Sequence, residues 1–164
     1  MRRPPPEKVA MALGGLALAL ILGALGFQYF GRLPPCEMCH WQRWPHIAAA
    51  VVGLGGGLAI WTGILDRRNA VPLALATAAL VALSGAIAVY HAGVEWHWWK
   101  GPSACTGSAF RLQGGPLDLN APVVMCDHAA WRLFGLSLAG YNALISLSAA
   151  ALGFATVLYT EKRA

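Results

Sequence analysis

Four cysteines carry the clearest chemistry in this chain: Cys36 and Cys39 in a C-x-x-C step, then Cys105 and Cys126 further along. The C-x-x-C spacing puts two sulfurs one helical turn apart, within bonding reach. Pro34 and Pro35 precede them, and prolines end one helix and sit well at the start of the next. Cys36 is therefore expected near a helix N-terminus, where partial positive charge favours a thiolate. Three uses compete for the pair. A structural bridge would close so short a loop that the unfolded chain is hardly constrained, and tight loops tend to be strained. Zinc would draw on Cys36, Cys39, Cys105, Cys126 or nearby histidines, but the second pair lacks zinc-like spacing. A redox couple benefits from the reactivity that makes the bridge a poor staple. Redox is the favoured reading.

Cys105 and Cys126 pose the opposite problem. A bridge between them would contribute roughly 3 kcal/mol by chain entropy, respectable for a staple. Spacing alone leaves staple and redox couple open. The nearby C-x-x-C tilts the balance, because two couples on one face exchange electrons through a mixed disulfide. Arg43 follows Cys39 by four residues, on the same helical face. A cation at the edge of a membrane span needs an anionic or strongly polar partner. It either snorkels to headgroups or stabilises the Cys39 thiolate or the carbonyl oxygens of a bound quinone. Pro45 removes a helix hydrogen bond nearby and blurs the facing.

The elements that must position these residues are membrane spans. The 164 residues are 57% hydrophobic and only 12% charged, with mean hydropathy +0.54. A soluble domain of this length needs more charge to cover its surface. Four apolar runs, Val9–Phe30, Pro45–Leu65, Val71–Tyr90 and Leu136–Tyr159, each reach the roughly 20 residues that cross a bilayer. The sequence thus predicts an all-α membrane protein: a four-transmembrane-helix bundle forming a single integral membrane domain over residues 1–164. The first run is too long in its apolar core for a signal peptide and lacks a small-residue cleavage site. The net charge of +5 forms no basic stripe, which argues against nucleic acid.

Lys and Arg set the orientation. Arg2, Arg3, Lys8, Arg67, Arg68, Lys162 and Arg163 crowd short segments, whereas Arg32, Arg43, Lys100, Arg111 and Arg132 are spread over longer loops. By density, both termini and the Asp66–Ala70 turn are cytoplasmic. Residues 31–44 and 91–135 then form two outer, non-cytoplasmic loops, and these hold all four cysteines. Thiols on that face form disulfides; in the cytosol they stay reduced. Small residues such as Gly53, Gly55, Gly56 and Gly57 predict close helix packing. Trp96, His97, Trp98, Trp99 and Lys100 read as an interfacial belt without chemistry. Gly101-Pro102 and Gly114-Gly115-Pro116 mark turns.

The stretch Pro35-Cys36-Glu37-Met38-Cys39-His40-Trp41-Gln42-Arg43 resembles the P-C-x-L-C-x-x-Q-R signature of the DsbB family of disulfide bond formation proteins. Met38 stands for the usual leucine, a volume-conserving change. Tyr90-His91-Ala92-Gly93-Val94-Glu95, Cys126-Asp127 and Trp131-Arg132-Leu133-Phe134-Gly135-Leu136-Ser137 are similar to that family as well. The resemblance covers nearly the whole chain. It implies a quinone-dependent protein-disulfide oxidoreductase of the bacterial inner membrane that supports disulfide formation in secreted proteins. Its implied partner is a DsbA-like periplasmic thioredoxin-fold protein, which would attack Cys105–Cys126, with Cys105 forming the mixed disulfide. Electrons would pass to Cys36–Cys39, and Cys39 would hand them to ubiquinone or menaquinone. The resemblance also implies that Arg43 and His91 lie against the quinone oxygens. His91 is either a proton carrier or merely a hydrated interfacial histidine. No metal is implied.

Three rivals remain. A vitamin K epoxide reductase-like enzyme places its loop cysteines before the membrane C-x-x-C, the reverse of the order here. A specialised paralogue of the same family would serve a dedicated partner. A membrane scaffold would use its cysteines only as staples.

Overall fold

The computed structural model describes residues 4–106 and 124–161. Arg2, Arg3, Arg111, the Gly114-Gly115-Pro116 turn, Lys162 and Arg163 lie outside the described residues. The protein is a four-span helical membrane protein. The first helix is Pro6–Tyr29, the second Glu37–Trp61, the third Ala70–Glu95 and the fourth Leu138–Glu161. A short hairpin, Arg132–Leu133 with Leu136–Ser137, leads into the fourth. Its turn residues Phe134 and Gly135 both have positive φ (49° and 82°), the backbone of a tight two-residue hairpin turn.

Two helices extend well beyond the bounds that hydropathy predicts. The second begins at Glu37, not Pro45. Pro34 and Pro35 end the preceding chain, Cys36 caps the new helix, and the polar turn Glu37–Arg43 is helical although it is not apolar. Pro45 lies inside this helix and removes one main-chain donor. Near it, the Ser84 hydroxyl from the third helix donates to the Gln42 carbonyl at 2.8 Å. The helix then widens into a π-helical segment over Val51–Gly56. The third helix continues past Tyr90 to Glu95, so His91 is a helical residue and not a loop residue.

The interior is built of small side chains. Ala10, Ala17, Ala49, Ala74, Ala78, Ala88 and Ala150 are buried, while Leu22, Leu83, Leu144 and Leu152 face outward. This is what lipid-facing surfaces with close-packed helices require. Gly53 marks the tightest crossing. A Cβ there would stand 2.5 Å from the Ala10 carbonyl oxygen and 2.8 Å from the Thr77 methyl. At one end of the bundle Glu7 is buried and pairs with Arg67 at 3.2 Å. The cysteines gather at the opposite end.

The predicted aromatic belt folds back over the third helix. Trp99 stacks on Tyr90 with ring centroids 6.1 Å apart, and its indole N–H donates to the Tyr90 carbonyl at 2.8 Å. The Tyr90 hydroxyl donates to the Lys100 carbonyl at 3.0 Å.

Candidate active site

The second helix builds the first sulfur pair with its own first turn. Cys36 is the N-cap, and its Sγ accepts the Cys39 main-chain N–H at 3.2 Å, a role usually filled by an oxygen. That turn brings Cys36 Sγ and Cys39 Sγ to 2.9 Å. The Cys36 thiol donates to Cys39, and this bond, together with burial, pushes the Cys36 thiol up. The helix N-terminus predicts a Cys36 thiolate. The structure instead keeps the proton on Cys36, because the neighbouring sulfur accepts it more strongly than the helix dipole repels it.

Cys105 and Cys126 form a disulfide, and the Cys126 N–H donates to the Cys105 carbonyl at 2.7 Å. Cys36, Met38, Val94, Cys105 and Cys126 form one buried cluster, with Cys39 and Val124 packed against it. Residues separated by up to ninety positions in sequence thus share one apolar nest. The sequence placed all four cysteines on one face; the structure brings both pairs together at one end of the bundle.

His91 stands behind the first pair. Its Nε2 lies 3.5 Å from Cys36 Sγ and 3.6 Å from Glu95 Oε1. Its tautomer follows from its neighbours. Gln42 Nε2 is 3.3 Å from the Met38 carbonyl oxygen, which only accepts, so that atom is the amide N–H₂. The same nitrogen donates to His91 Nδ1 at 2.8 Å. In the neutral ring the proton therefore sits on Nε2, facing sulfur and carboxylate. Cys36, Cys39 and His91 present ligand atoms within 4.8 Å of one another, yet a protonated Nε2 has no lone pair for a metal.

The polar chain continues into the fourth helix. Asn142 Nδ2 donates to Gln42 Oε1 at 2.8 Å. Asn142 Oδ1 accepts from the Ser146 hydroxyl at 2.7 Å and faces His46 Nε2 at 2.9 Å. Sequence reasoning assigned no role to Gln42, His46, Ser84, Asn142 or Ser146. Their signal was present: polar residues inside apolar spans are costly and mark functional interiors.

On the other side of Cys39 is a cavity of about 370 Å³. Its walls are mainly apolar, including Leu20, Ala24, Phe27, Trp131, Leu138 and Ile145; its polar groups come from Cys39, Gln42, Arg43, His46, Tyr141 and Asn142. Arg43 donates to Gln28 Oε1 from the first helix at 2.7 Å. Among the described residues no carboxylate pairs with Arg43, so its charge is not neutralised there. Arg43 lines the cavity and His91 does not. The two residues flank the Cys36–Cys39 pair on different sides.

The family profile described as "Disulfide bond formation protein DsbB" matches residues 6–156. The chain belongs to the DsbB family. A "Disulfide bond formation protein B" from Verminephrobacter eiseniae is 30% identical over 148 residues, covering 85% of this chain and 78% of the relative. Its namesake from an Azoarcus species is 26% identical over 165 residues, covering 92% and 89%. A protein named "Probable 4-amino-4-deoxy-L-arabinose-phosphoundecaprenol flippase subunit ArnE", from Aeromonas salmonicida, is 33% identical over 87 residues, 49% of this chain and 72% of its own length. That likeness covers only half the chain, whereas the DsbB match spans both cysteine pairs. No solved structure matches. DsbB membership makes this a disulfide bond formation protein with the thiol oxidoreductase activity of its family.

Proposed function

We propose that this DsbB-family protein re-oxidises a DsbA-like periplasmic thioredoxin-fold protein and passes the electrons to a membrane quinone, either ubiquinone or menaquinone. Cys105–Cys126 receives electrons from the partner, Cys105 forming the mixed disulfide. Cys36–Cys39 receives them next. On this reading the chain sits in the bacterial inner membrane with both termini cytoplasmic and both cysteine loops periplasmic.

The observation that carries the reading is the position of Cys39, which packs against the two-couple cluster and also lines the cavity. It is the sulfur with access to both sides. DsbA-type enzymes are strong oxidants at about −120 mV, so regenerating one demands an acceptor stronger than an ordinary dithiol couple. A quinone supplies that chemistry, taking up two electrons and two protons within the bilayer. Such a DsbA–DsbB–quinone route keeps the bacterial periplasm oxidising.

The cavity fits that acceptor. Its size is in the range of small-molecule sites, and apolar walls with few polar groups are what such sites need. Arg43, with no carboxylate partner among the described residues, adds positive charge to the lining that also holds Cys39. His46 Nδ1 is buried and has no hydrogen-bond partner among the described residues, so polar capacity is left over in the lining.

The test is quinone reduction by purified protein, followed by the loss of quinone absorbance with a panel of reduced thioredoxin-fold partners. Turnover with one or more partners is expected. No quinone reduction with any of them would leave the scaffold reading, in which the cysteines are only staples.

A further inference from the structure

Glu95 is a buried carboxyl with no part in the relay described above. It is 6% exposed, and its Oε2 has no hydrogen-bond partner among the described residues. A carboxylate in such a place is expensive even with polar neighbours. Its surroundings come from three elements. On its own helix His91 Nε2 lies 3.6 Å away. From the hairpin region, the Ser137 side chain bonds to it and the Arg132 cation lies near it. Arg132 spends one N–H on the Glu95 main-chain carbonyl, at 3.4 Å. From the second helix, Cys36 and Cys39 lie close enough to repel its charge.

The decisive geometry is one N–H with sulfur and carboxylate both beside it, on a ring that also bonds to the Cys126 main-chain carbonyl. The proton on His91 Nε2 faces Cys36 Sγ at 3.5 Å and Glu95 Oε1 at 3.6 Å. While Cys36 and Cys39 are joined, the sulfurs are poor acceptors and the carboxylate is the natural one. Once they separate, the pair carries negative charge. A second negative charge on Glu95 in the same water-poor pocket would then be doubly unfavourable.

We propose that Glu95 is the proton reservoir of the Cys36–Cys39 couple: it takes up a proton when the pair is reduced and releases it when the pair re-forms its bond. The inference rests on the proposed cycling of that couple. The step balances. The Cys105 and Cys126 thiols close their S–S bond and give up two electrons and two protons. The Cys36–Cys39 bond breaks and accepts the two electrons. One proton goes to Cys36 Sγ, the other converts the Glu95 carboxylate to the acid, and Cys39 holds the thiolate. The cluster keeps one negative charge before and after. His91 Nε2–H shifts its hydrogen bond from carboxylate to sulfur. Glu95 is a positioning residue for charge, acting through His91 and not touching the acceptor cavity.

The experiment is a redox titration of Cys36–Cys39 in full-length, quinone-depleted protein in detergent. Thiol trapping and mass spectrometry read this pair separately from Cys105–Cys126. The pH dependence of the midpoint across the neutral range counts protons per electron pair. Wild type is expected to take up two protons for two electrons, and Glu95→Gln only one, halving the slope. Equal slopes would overturn the proposal. If the pair does not titrate as a two-electron couple at all, the cycling itself fails, and the proposal with it. Infrared difference spectra provide a second readout on the wild type. A protonated carboxyl band should appear on reduction, shift in Glu95→Asp and vanish in Glu95→Gln. A reduced-minus-oxidised spectrum without that band would also overturn it.

Discussion

Gln42 donates to His91 Nδ1 at 2.8 Å and thereby fixes which ring nitrogen faces the sulfurs. The contact joins the second helix to the third across 49 sequence positions. It places an amide from the C-x-x-C helix in control of the tautomer beside Cys36.

Replacing that amide should therefore be costly. Gln42→Leu strands His91 Nδ1 and the Asn142 amide in the bundle interior, and stranded buried polar groups cost about 1–3 kcal/mol each. A lower Tm in detergent is expected, together with altered Cys36 reactivity. Unchanged values for both would mean that the network is only a by-product of packing.

Cys39→Ala should abolish quinone reduction while Cys105 still traps the partner. The check is a covalent complex on a non-reducing gel beside a flat quinone trace. Normal turnover in this variant would remove Cys39 from the route.

Arg43→Ala should weaken apparent quinone affinity about 10- to 100-fold, the range for losing a charge-assisted hydrogen bond. The KM for the thioredoxin-fold partner should stay the same, because Arg43 lines the cavity and is not part of the buried sulfur cluster. Equal loss toward both substrates would contradict this division.

The raised Cys36 thiol sets an order of reactivity. Raising a thiol's pKa prolongs its neutral form as pH climbs, and the neutral form is the poor nucleophile. In reduced, quinone-free protein, iodoacetamide should modify Cys39 first at neutral pH, with Cys36 catching up only in alkali. Peptide mass spectrometry over a pH series reads this directly. Faster labelling of Cys36 at neutral pH would reverse the proton assignment.

Gly53→Val would force side-chain atoms against Ala10 and Thr77. Overpacking of this kind costs about 1–3 kcal/mol, and backbone contact leaves little room for relaxation. A destabilised bundle is expected in thermal unfolding, whereas Gly55→Ala, where nothing lies within 4 Å, should be nearly silent.

The four spans were legible because hydropathy reports the hydrocarbon layer directly. Where the second helix begins was legible too, because Pro34, Pro35 and Cys36 mark its start and Cys36 is its cap. What hydropathy missed is that this helix and the apolar span are one element: Pro45 read as the span's edge although it sits mid-helix. At the site, Cys36, Cys39 and Arg43 stood out by spacing along one helix, and Cys105 and Cys126 by falling in a loop on the same face. The chain from His91 through Gln42 to Asn142 and Ser146 did not, because only tertiary packing brings together residues 49 to 100 positions apart. Glu95 was visible four residues after His91, but the His91 N–H that faces both it and Cys36 is a product of tertiary packing.

Cys39 is walled on one flank by hydrocarbon-like side chains of the first and fourth helices. Under the proposed reading that wall acts as a filter based on solubility. An oxidant dissolved in lipid is concentrated where this sulfur waits, while peroxide and other hydrophilic oxidants must leave water to approach it. The enzyme thus guards its most exposed electron donor by the company the membrane keeps, with no lid required.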